Sequence, residues 1–181
     1  MRFLLKHVVL FVVYASIGLV LAITGVYVHY LHGQPDLKPW HSAPLTEEYR
    51  ADRADVKTLD DYRALEARLF DELDREVYAF TPEQDRRKVN RYFAGSLADA
   101  RRAKPDWNRT VELAPAGPVK AGALLVHGLS DSPYSLRALA ERLVEKGVHV
   151  LVLRVPGHGT APSGLLDVTW RDWAGAMRIG A

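Results

Sequence analysis

The stretch of residues 121–154 reads AGALLVHGLSDSPYSLRALAERLVEKGVHVLVLR and carries the clearest secondary-structure pattern of the chain. It contains two apolar runs, 121–127 and 148–154, each of a length that suits a buried strand. Between them an apolar stripe at helical spacing begins after Ser132, a favoured capping residue, and ends at Gly147. Strand, helix and strand in this order predict a βαβ unit with parallel strands and a right-handed crossover. The sequence therefore predicts an α/β fold for this part of the chain.

The turn after the first predicted strand reads His127-Gly128-Leu129-Ser130. In α/β folds, ligands bind where the parallel strands end. The sequence has neither G-x-G-x-x-G nor G-K-[ST] here, so it predicts neither a dinucleotide site nor a P-loop. A turn of this kind directs a backbone N–H into the cleft, where such a group can stabilise the oxyanion of an acyl transfer.

Three segments in this region together resemble the start of an α/β-hydrolase domain. They are HGLSDSPYSLRALAERL at 127–143, RVPGHGTAP at 154–162 and WRDW at 170–173. The resemblance is strongest to the branch that contains carboxylesterases, monoacylglycerol lipases and serine aminopeptidases, and it covers residues 109–181. It rests on the combination of HG-x-S-x-SP-Y-S and PGHG, with a predicted strand before the first motif and a helix and a strand between the two.

The resemblance implies a serine hydrolase that acts on ester or related acyl bonds without a cofactor or a metal. It implies that the Leu129 N–H is one donor of the oxyanion hole, and that His127 and Gly128 shape the oxyanion turn. The PGHG loop at 156–159 would lie beside the mouth of the active site. The partners that it implies are a small acyl substrate and no nucleic acid.

The histidines and serines of this region also have structural interpretations. His127 is a turn residue and not the catalytic base, and His158 has no paired carboxylate motif. Ser130, Ser132 and Ser135 lie at a helix entrance, where serine is favoured for capping alone. None of them stands in a G-x-S-x-G elbow, and the nearest imitation, AGSLA at 94–98, lacks the final glycine.

The family's nucleophile elbow, acid and terminal histidine do not occur before the sequence ends at Ala181. We therefore expect the chain to be the N-terminal part of a hydrolase, whether as a fragment, a truncated reading frame or a partial gene model. Alone, it is expected to be inactive. It is also not expected to fold as a stable domain, because two long strands would lack most of the helices that cover a parallel sheet.

The N-terminal segment predicts a membrane anchor. Residues 8–28 carry no charge and span about 30 Å as a helix, the thickness of the hydrocarbon core of a bilayer. With Arg2 and Lys6 before it, this pattern predicts a cytoplasmic tail at 1–7 and a single-pass signal anchor at 8–29 in the cytoplasmic membrane. The bulk of the chain would be extracytoplasmic, and periplasmic in a Gram-negative bacterium. The alternatives are a cleaved signal peptide and a buried core helix.

Between the anchor and the hydrolase-like part, the sequence predicts a linker at 30–57 and a helical segment at 58–104. The first helix covers about 58–79 and is capped by Thr58. A second helix begins after Thr81. Its basic cluster is either a solvated face or a contact for anionic lipid headgroups. The cluster comprises Arg86, Arg87, Lys88 and Arg91.

The composition excludes several classes of function. The 181 residues have a net charge of +2, which argues against a strongly basic nucleic-acid-binding protein. There is no cysteine, which excludes disulfides, thiolate metal sites and a cysteine nucleophile. Two hypotheses remain. One is a membrane-anchored serine hydrolase, and the other is a non-catalytic membrane-anchored interaction module.

Overall fold

The structure, a computed structural model, describes residues 2–181 and divides into two units. Unit 1 ends at Leu37 and unit 2 begins at Lys38. Unit 1 consists mainly of helix α1, Arg2–His32, which contains an 18-residue window of mean hydropathy 2.5 and has no buried residue. Its length and composition are sufficient to cross a membrane, in agreement with the apolar segment predicted at 8–29.

The structure differs from the linker interpretation of residues 30–57. A short helix, α2, covers Pro39–Ser42, and the residues from Lys38 onwards belong to unit 2. Glu48 and Tyr49 are both buried, and the ring of Tyr49 contacts the ring of Tyr62 edge-on at 5.3 Å. The proline-rich composition suggested a flexible connection. Instead, the buried contacts of these two side chains offset the conformational entropy that the backbone loses when it becomes ordered.

Helix α3 covers Leu59–Leu73 and continues as one π-helical turn at Asp74–Tyr78, close to the helix predicted at 58–79. Its start has the capping pattern that the sequence predicts. The Asp61 N–H donates to Thr58 Oγ1 at 3.1 Å, and the Thr58 N–H donates to the Asp61 carboxylate at 3.0 Å. These bonds satisfy backbone groups that the first helical turn leaves free.

The prediction of a second long helix after Thr81 is wrong. Only Glu83–Asp85 and Ala100–Arg102 form short 3₁₀ turns, and the rest of the segment is irregular. Asn90 explains much of the difference, because its side chain binds backbone groups on both sides. Its amide donates to the Asp85 carbonyl at 2.8 Å, and its Oδ1 accepts the Tyr92 N–H at 3.0 Å. Such local bonds compete with helix formation.

Three strands form one sheet in the order β1-β3-β2. They are β1, Val111–Leu113; β2, Ala121–Val126; and β3, Val148–Leu153. Strands β2 and β3 are parallel, with Val126 opposite Leu153, and β1 is antiparallel to β3. The parallel pairing confirms the βαβ prediction. It brings the carboxyl ends of β2 and β3 to one edge, where the loops that follow them meet.

The crossover from β2 to β3 begins as a 3₁₀ turn at Pro133–Leu136 and continues as α4, Arg137–Glu145. Gly147 ends it with φ +87°, a left-handed conformation that favours glycine. The last helix, α5, covers Trp170–Gly180, and the Thr169 N–H donates to the Asp172 carboxylate at 2.7 Å at its start.

Helices cover both faces of β3. Val150 and Val152 point towards Ala140 of α4, whereas Leu153 packs with Leu65 of α3 and also near α5. The expectation that the parallel strands would lack most of their neighbours is therefore wrong for β3. The covering helices come partly from residues 58–79, which enclose the face that α4 leaves free.

Candidate functional site

The turn that follows β2 is held by the imidazole of His127. This side chain is buried, and its Nε2 accepts the Val155 N–H at 3.0 Å. Because Nε2 accepts, Nδ1 carries the proton of the neutral ring and donates to the Gly128 carbonyl at 2.9 Å. Burial lowers the pKa of His127, and the nearby His158 acts in the same direction. His127 is therefore a neutral link between the loops after β2 and β3.

The backbone of the turn leaves the predicted oxyanion donor free. Within residues 2–181, the Leu129 N–H has no hydrogen-bond acceptor, and the Leu129 side chain is 70% exposed. Ser130 follows with φ +60°, a left-handed conformation uncommon for a residue other than glycine. Such backbone geometry is concentrated at functional sites, where the surrounding structure holds it in place.

A cleft of 630 Å³ lies beside this turn. Ser130, Asp131 and Tyr134 form part of one wall, and Trp107 and Arg102 form part of the wall contributed by the segment before β1. The volume is in the range of sites that bind small molecules. A smaller cavity of 220 Å³ is lined by Ser130 and Asp131 as well. The predicted turn thus borders a space that can hold a substrate of moderate size.

The serines beside the turn have the surroundings of a helix entrance. Ser132 occupies the N-cap position, but its hydroxyl caps no backbone N–H. Instead, the Ser132 N–H donates to Asp131 Oδ1 at 2.7 Å, and the Ser135 hydroxyl donates to the Ser132 carbonyl at 3.3 Å. Neither serine forms a hydrogen bond with an imidazole, which an activated serine nucleophile requires.

His158, in the PGHG loop after β3, lies next to His127. Its ring centroid is 5.3 Å from that of His127, and its Nδ1 lies 3.0 Å from the Pro156 carbonyl, to which it donates. Its Nε2 is buried and has no hydrogen-bond partner within residues 2–181. No carboxylate contacts the ring in the part of the chain that the structure describes, so the His–carboxylate pair of a catalytic base is not formed there.

Comparison with known proteins gives a partial match to a lipase. Over 64 residues, or 35% of the chain, the sequence is 41% identical to a protein described as thermostable monoacylglycerol lipase from Bacillus sp. (strain H-257). The matched stretch spans a quarter of the length of that lipase. No family model matches the chain. The similarity weakly supports the α/β-hydrolase resemblance and a hydrolase-like origin.

A buried ion cluster supports the loop after β3. Arg154 is fully buried, and its guanidinium donates to Glu66 at 2.8 Å and to the two oxygens of Glu48 at 2.8 and 3.1 Å. It also donates to the His158 carbonyl at 3.0 Å. Burial raises the pKa of Glu66, although Arg154 and Thr110 oppose the shift. The cluster holds the loop after β3 in place. His127 contacts the same loop through its hydrogen bond with the Val155 N–H.

Sequence reasoning did not find this cluster. Glu48 and Glu66 lie 106 and 88 residues from Arg154 along the chain, and neither stands in a recognisable motif. The cluster also joins the segment interpreted as a linker to the end of β3. Within residues 2–181 no group of three histidine, aspartate or glutamate side chains is arranged to hold a metal ion.

Proposed function

We propose that the chain contributes the oxyanion turn of a membrane-anchored serine hydrolase of the α/β-hydrolase family, which acts on ester or related acyl bonds. One observation carries the proposal: the Leu129 N–H has no acceptor within residues 2–181, at the end of a parallel strand, and the next residue, Ser130, lines a cleft of 630 Å³. The partial identity to a monoacylglycerol lipase supports the same chemistry.

The proposed chemistry follows from the charge that develops during acyl transfer. A serine oxygen attacks the carbonyl carbon of the substrate, and the carbonyl oxygen becomes negatively charged in the tetrahedral intermediate. A backbone N–H already aimed at that oxygen stabilises the charge without reorganisation. In this proposal the Leu129 N–H is that donor, and His127 and Gly128 hold it in place.

The reaction also needs a nucleophile, an acid and a base. No motif that would carry them occurs in residues 1–181, and we assign no residue of this sequence to those roles. The activity proposed here is therefore that of the gene product that carries this sequence. The proposed substrates are small acyl esters, with monoacylglycerols as the first lipid class to test, because the lipase relative is described as acting on them.

In the same proposal, α1 is a single-pass anchor in the cytoplasmic membrane, with the N-terminus inside and unit 2 outside. Its uncharged length and the cations at Arg2 and Lys6 support this topology. A reporter fused after residue 57 should remain in the membrane fraction at high salt and face outwards. A soluble, shortened product would indicate a cleaved signal peptide instead.

The test of function is hydrolysis of p-nitrophenyl esters and monoacylglycerol by membranes that contain the gene product. We expect turnover that a serine-directed inhibitor abolishes. Leu129→Pro, which removes the donor, should reduce it far more than Leu129→Ala, which keeps the donor. Absence of turnover, or turnover insensitive to the inhibitor, would contradict the proposal and favour a non-catalytic membrane-anchored module.

A further inference from the structure

Three large apolar side chains are exposed on one irregular segment, residues 80–97, which we call the 80–97 loop. The exposed fractions are 64% for Phe80, 77% for Val89 and 73% for Leu97. The Leu97 N–H donates to the Lys88 carbonyl at 2.8 Å, which brings the neighbourhoods of Val89 and Leu97 together. Single exposed apolar residues are ordinary, but Val89 and Leu97 are brought together by this bond, and neighbouring exposed apolar residues indicate an interaction surface.

Hydrogen bonds from buried polar side chains fix the backbone that carries Val89 and Leu97. The buried Ser96 hydroxyl donates to the Asn90 carbonyl at 2.7 Å, and the buried Thr81 hydroxyl donates to the Tyr92 carbonyl at 2.7 Å. The ring of Tyr92 is itself buried. The backbone is therefore fixed from within, and the exposure of Val89 and Leu97 is part of a defined conformation.

Cations accompany the apolar side chains. The loop contains four exposed basic residues: Arg86, Arg87, Lys88 and Arg91. None of the four forms an ion pair within residues 2–181. Of the two acidic residues in the loop, Asp85 is paired with Lys38 at 3.0 Å, so that Glu83 alone opposes the four cations. The surface is positively charged and apolar at the same time.

The loop also lies where the chain enters unit 2. Lys38, which pairs with Asp85, is the first residue of that unit, and the ring of Trp40 stacks on Tyr92 at a centroid distance of 5.1 Å. Only residues 33–37 separate Lys38 from the end of α1. Five residues extend at most about 18 Å, so an embedded α1 would keep this entry point close to the lipid headgroups.

We propose that the 80–97 loop is a second membrane contact, which docks on a bilayer that contains anionic lipid. Val89, Leu97 and Phe80 would enter the boundary between headgroups and acyl chains, and the four cations would lie against lipid phosphates. The inference rests on the proposed anchoring by α1. It adds that unit 2 itself binds the surface, which would place the cleft beside the loop near lipid substrates.

The absence of cysteine from the chain allows a site-specific test. Val89→Cys and Leu97→Cys in the full chain would each carry an environment-sensitive NBD label, and Val119→Cys serves as the matched control. Val119 is also an exposed valine, but it lies before β2, at the end of that strand opposite the oxyanion turn. The proteins are reconstituted in vesicles of phosphatidylcholine, with and without phosphatidylglycerol.

We expect the labels at 89 and 97 to become several-fold brighter and blue-shifted in vesicles that contain phosphatidylglycerol, and the label at 119 to remain as in buffer. High salt, or the added charge reversals Arg87→Glu and Lys88→Glu, should remove most of the increase, because both weaken attraction to the anionic surface. Labels at 89 and 97 that match the label at 119 in both kinds of vesicle would overturn the proposal.

Two further readouts distinguish lipid docking from self-association and from a failure of the anchor. An increase that depends on protein density and not on lipid charge would mean a contact with a second copy, and would also overturn the proposal. Flotation after alkaline carbonate reports the anchoring by α1 independently. If the chain fails to float, the anchor proposal is wrong, while the labels still show whether the loop binds the anionic surface.

Discussion

The turn at 127–130 and the 80–97 loop border the same cleft, but different interactions determine their shapes. The turn is held by a distant partner, because His127 binds the N–H of Val155, 28 residues away, in a loop that the Arg154 cluster supports. The side-chain hydrogen bonds that shape the 80–97 loop include local ones, such as that between Ser96 and the carbonyl of a residue six positions earlier, although Lys38 and Trp40 also contact this loop. Loss of a buried, long-range partner should therefore cost much more stability than loss of a local loop bond.

The largest effect should come from Arg154→Met. The substitution leaves Glu48 and Glu66 buried without their cation, and removal of one partner from a buried ion pair typically costs about 3–5 kcal/mol. Urea unfolding followed by circular dichroism measures the loss. Arg142→Met is the matched control, because its ion pair with Glu145 is exposed and should contribute less than about 1 kcal/mol. Equal losses for the two variants would show that the cluster does not support the fold.

A smaller loss is expected for His127→Ala. It removes the acceptor of the buried Val155 N–H, and an unsatisfied buried donor costs about 1–3 kcal/mol. Ester turnover should fall together with stability, because the same imidazole fixes the Gly128 carbonyl in the turn for which we propose the oxyanion role. Unchanged stability and turnover would mean that the turn does not depend on this link.

The same histidine predicts a pH dependence of stability. Its pKa in the folded protein is lowered by burial, so between that value and about 6.5 the unfolded chain binds a proton that the folded protein does not. The free energy of unfolding should therefore fall as the pH drops below about 6.5. His127→Gln should weaken this dependence, whereas His32→Gln, at the exposed last residue of α1, should retain it. An unaltered pH profile in His127→Gln would contradict the assignment.

The smallest effect is expected in the 80–97 loop. Asn90→Ala removes side-chain bonds to the Asp85 carbonyl and the Tyr92 N–H, and should cost about 1 kcal/mol in unfolding experiments. Gln84→Ala, at an exposed position of the same loop, should stay within about 0.5 kcal/mol of the parent. If Asn90→Ala lost as much stability as Arg154→Met, local loop bonds would contribute as much as buried long-range partners, contrary to our expectation.

The same contrast explains what the sequence could predict. The strands at 121–127 and 148–154 were predicted correctly because apolar runs, Ser132 and Gly147 are local signals. The helix after Thr81 was predicted wrongly, because its capping signals could not reveal the bonds of Asn90 to backbone groups. These bonds replace the helical pattern.

The sequence likewise predicts one part of the candidate site and not another. The position of the turn at 127–130, for which we propose the oxyanion role, follows from the HG pair at the end of a predicted strand. Its supports do not, because Glu48 and Glu66 approach Arg154 only when distant segments fold together. A buried arginine that binds carboxylates from two remote segments has no periodic or motif-like signature in a single sequence.

The most direct test of the proposed oxyanion donor replaces one atom of the turn. Leu129 is replaced by its α-hydroxy analogue, so that an ester oxygen stands where the N–H was and the side chain is retained. The same change at Val119, before β2, is the control. If the Leu129 N–H is an oxyanion donor, kcat for ester hydrolysis by the gene product should fall about 100- to 1,000-fold at Leu129, as for the loss of a known oxyanion donor, and remain unchanged at Val119. A decrease at Leu129 no larger than that at Val119 would contradict this role.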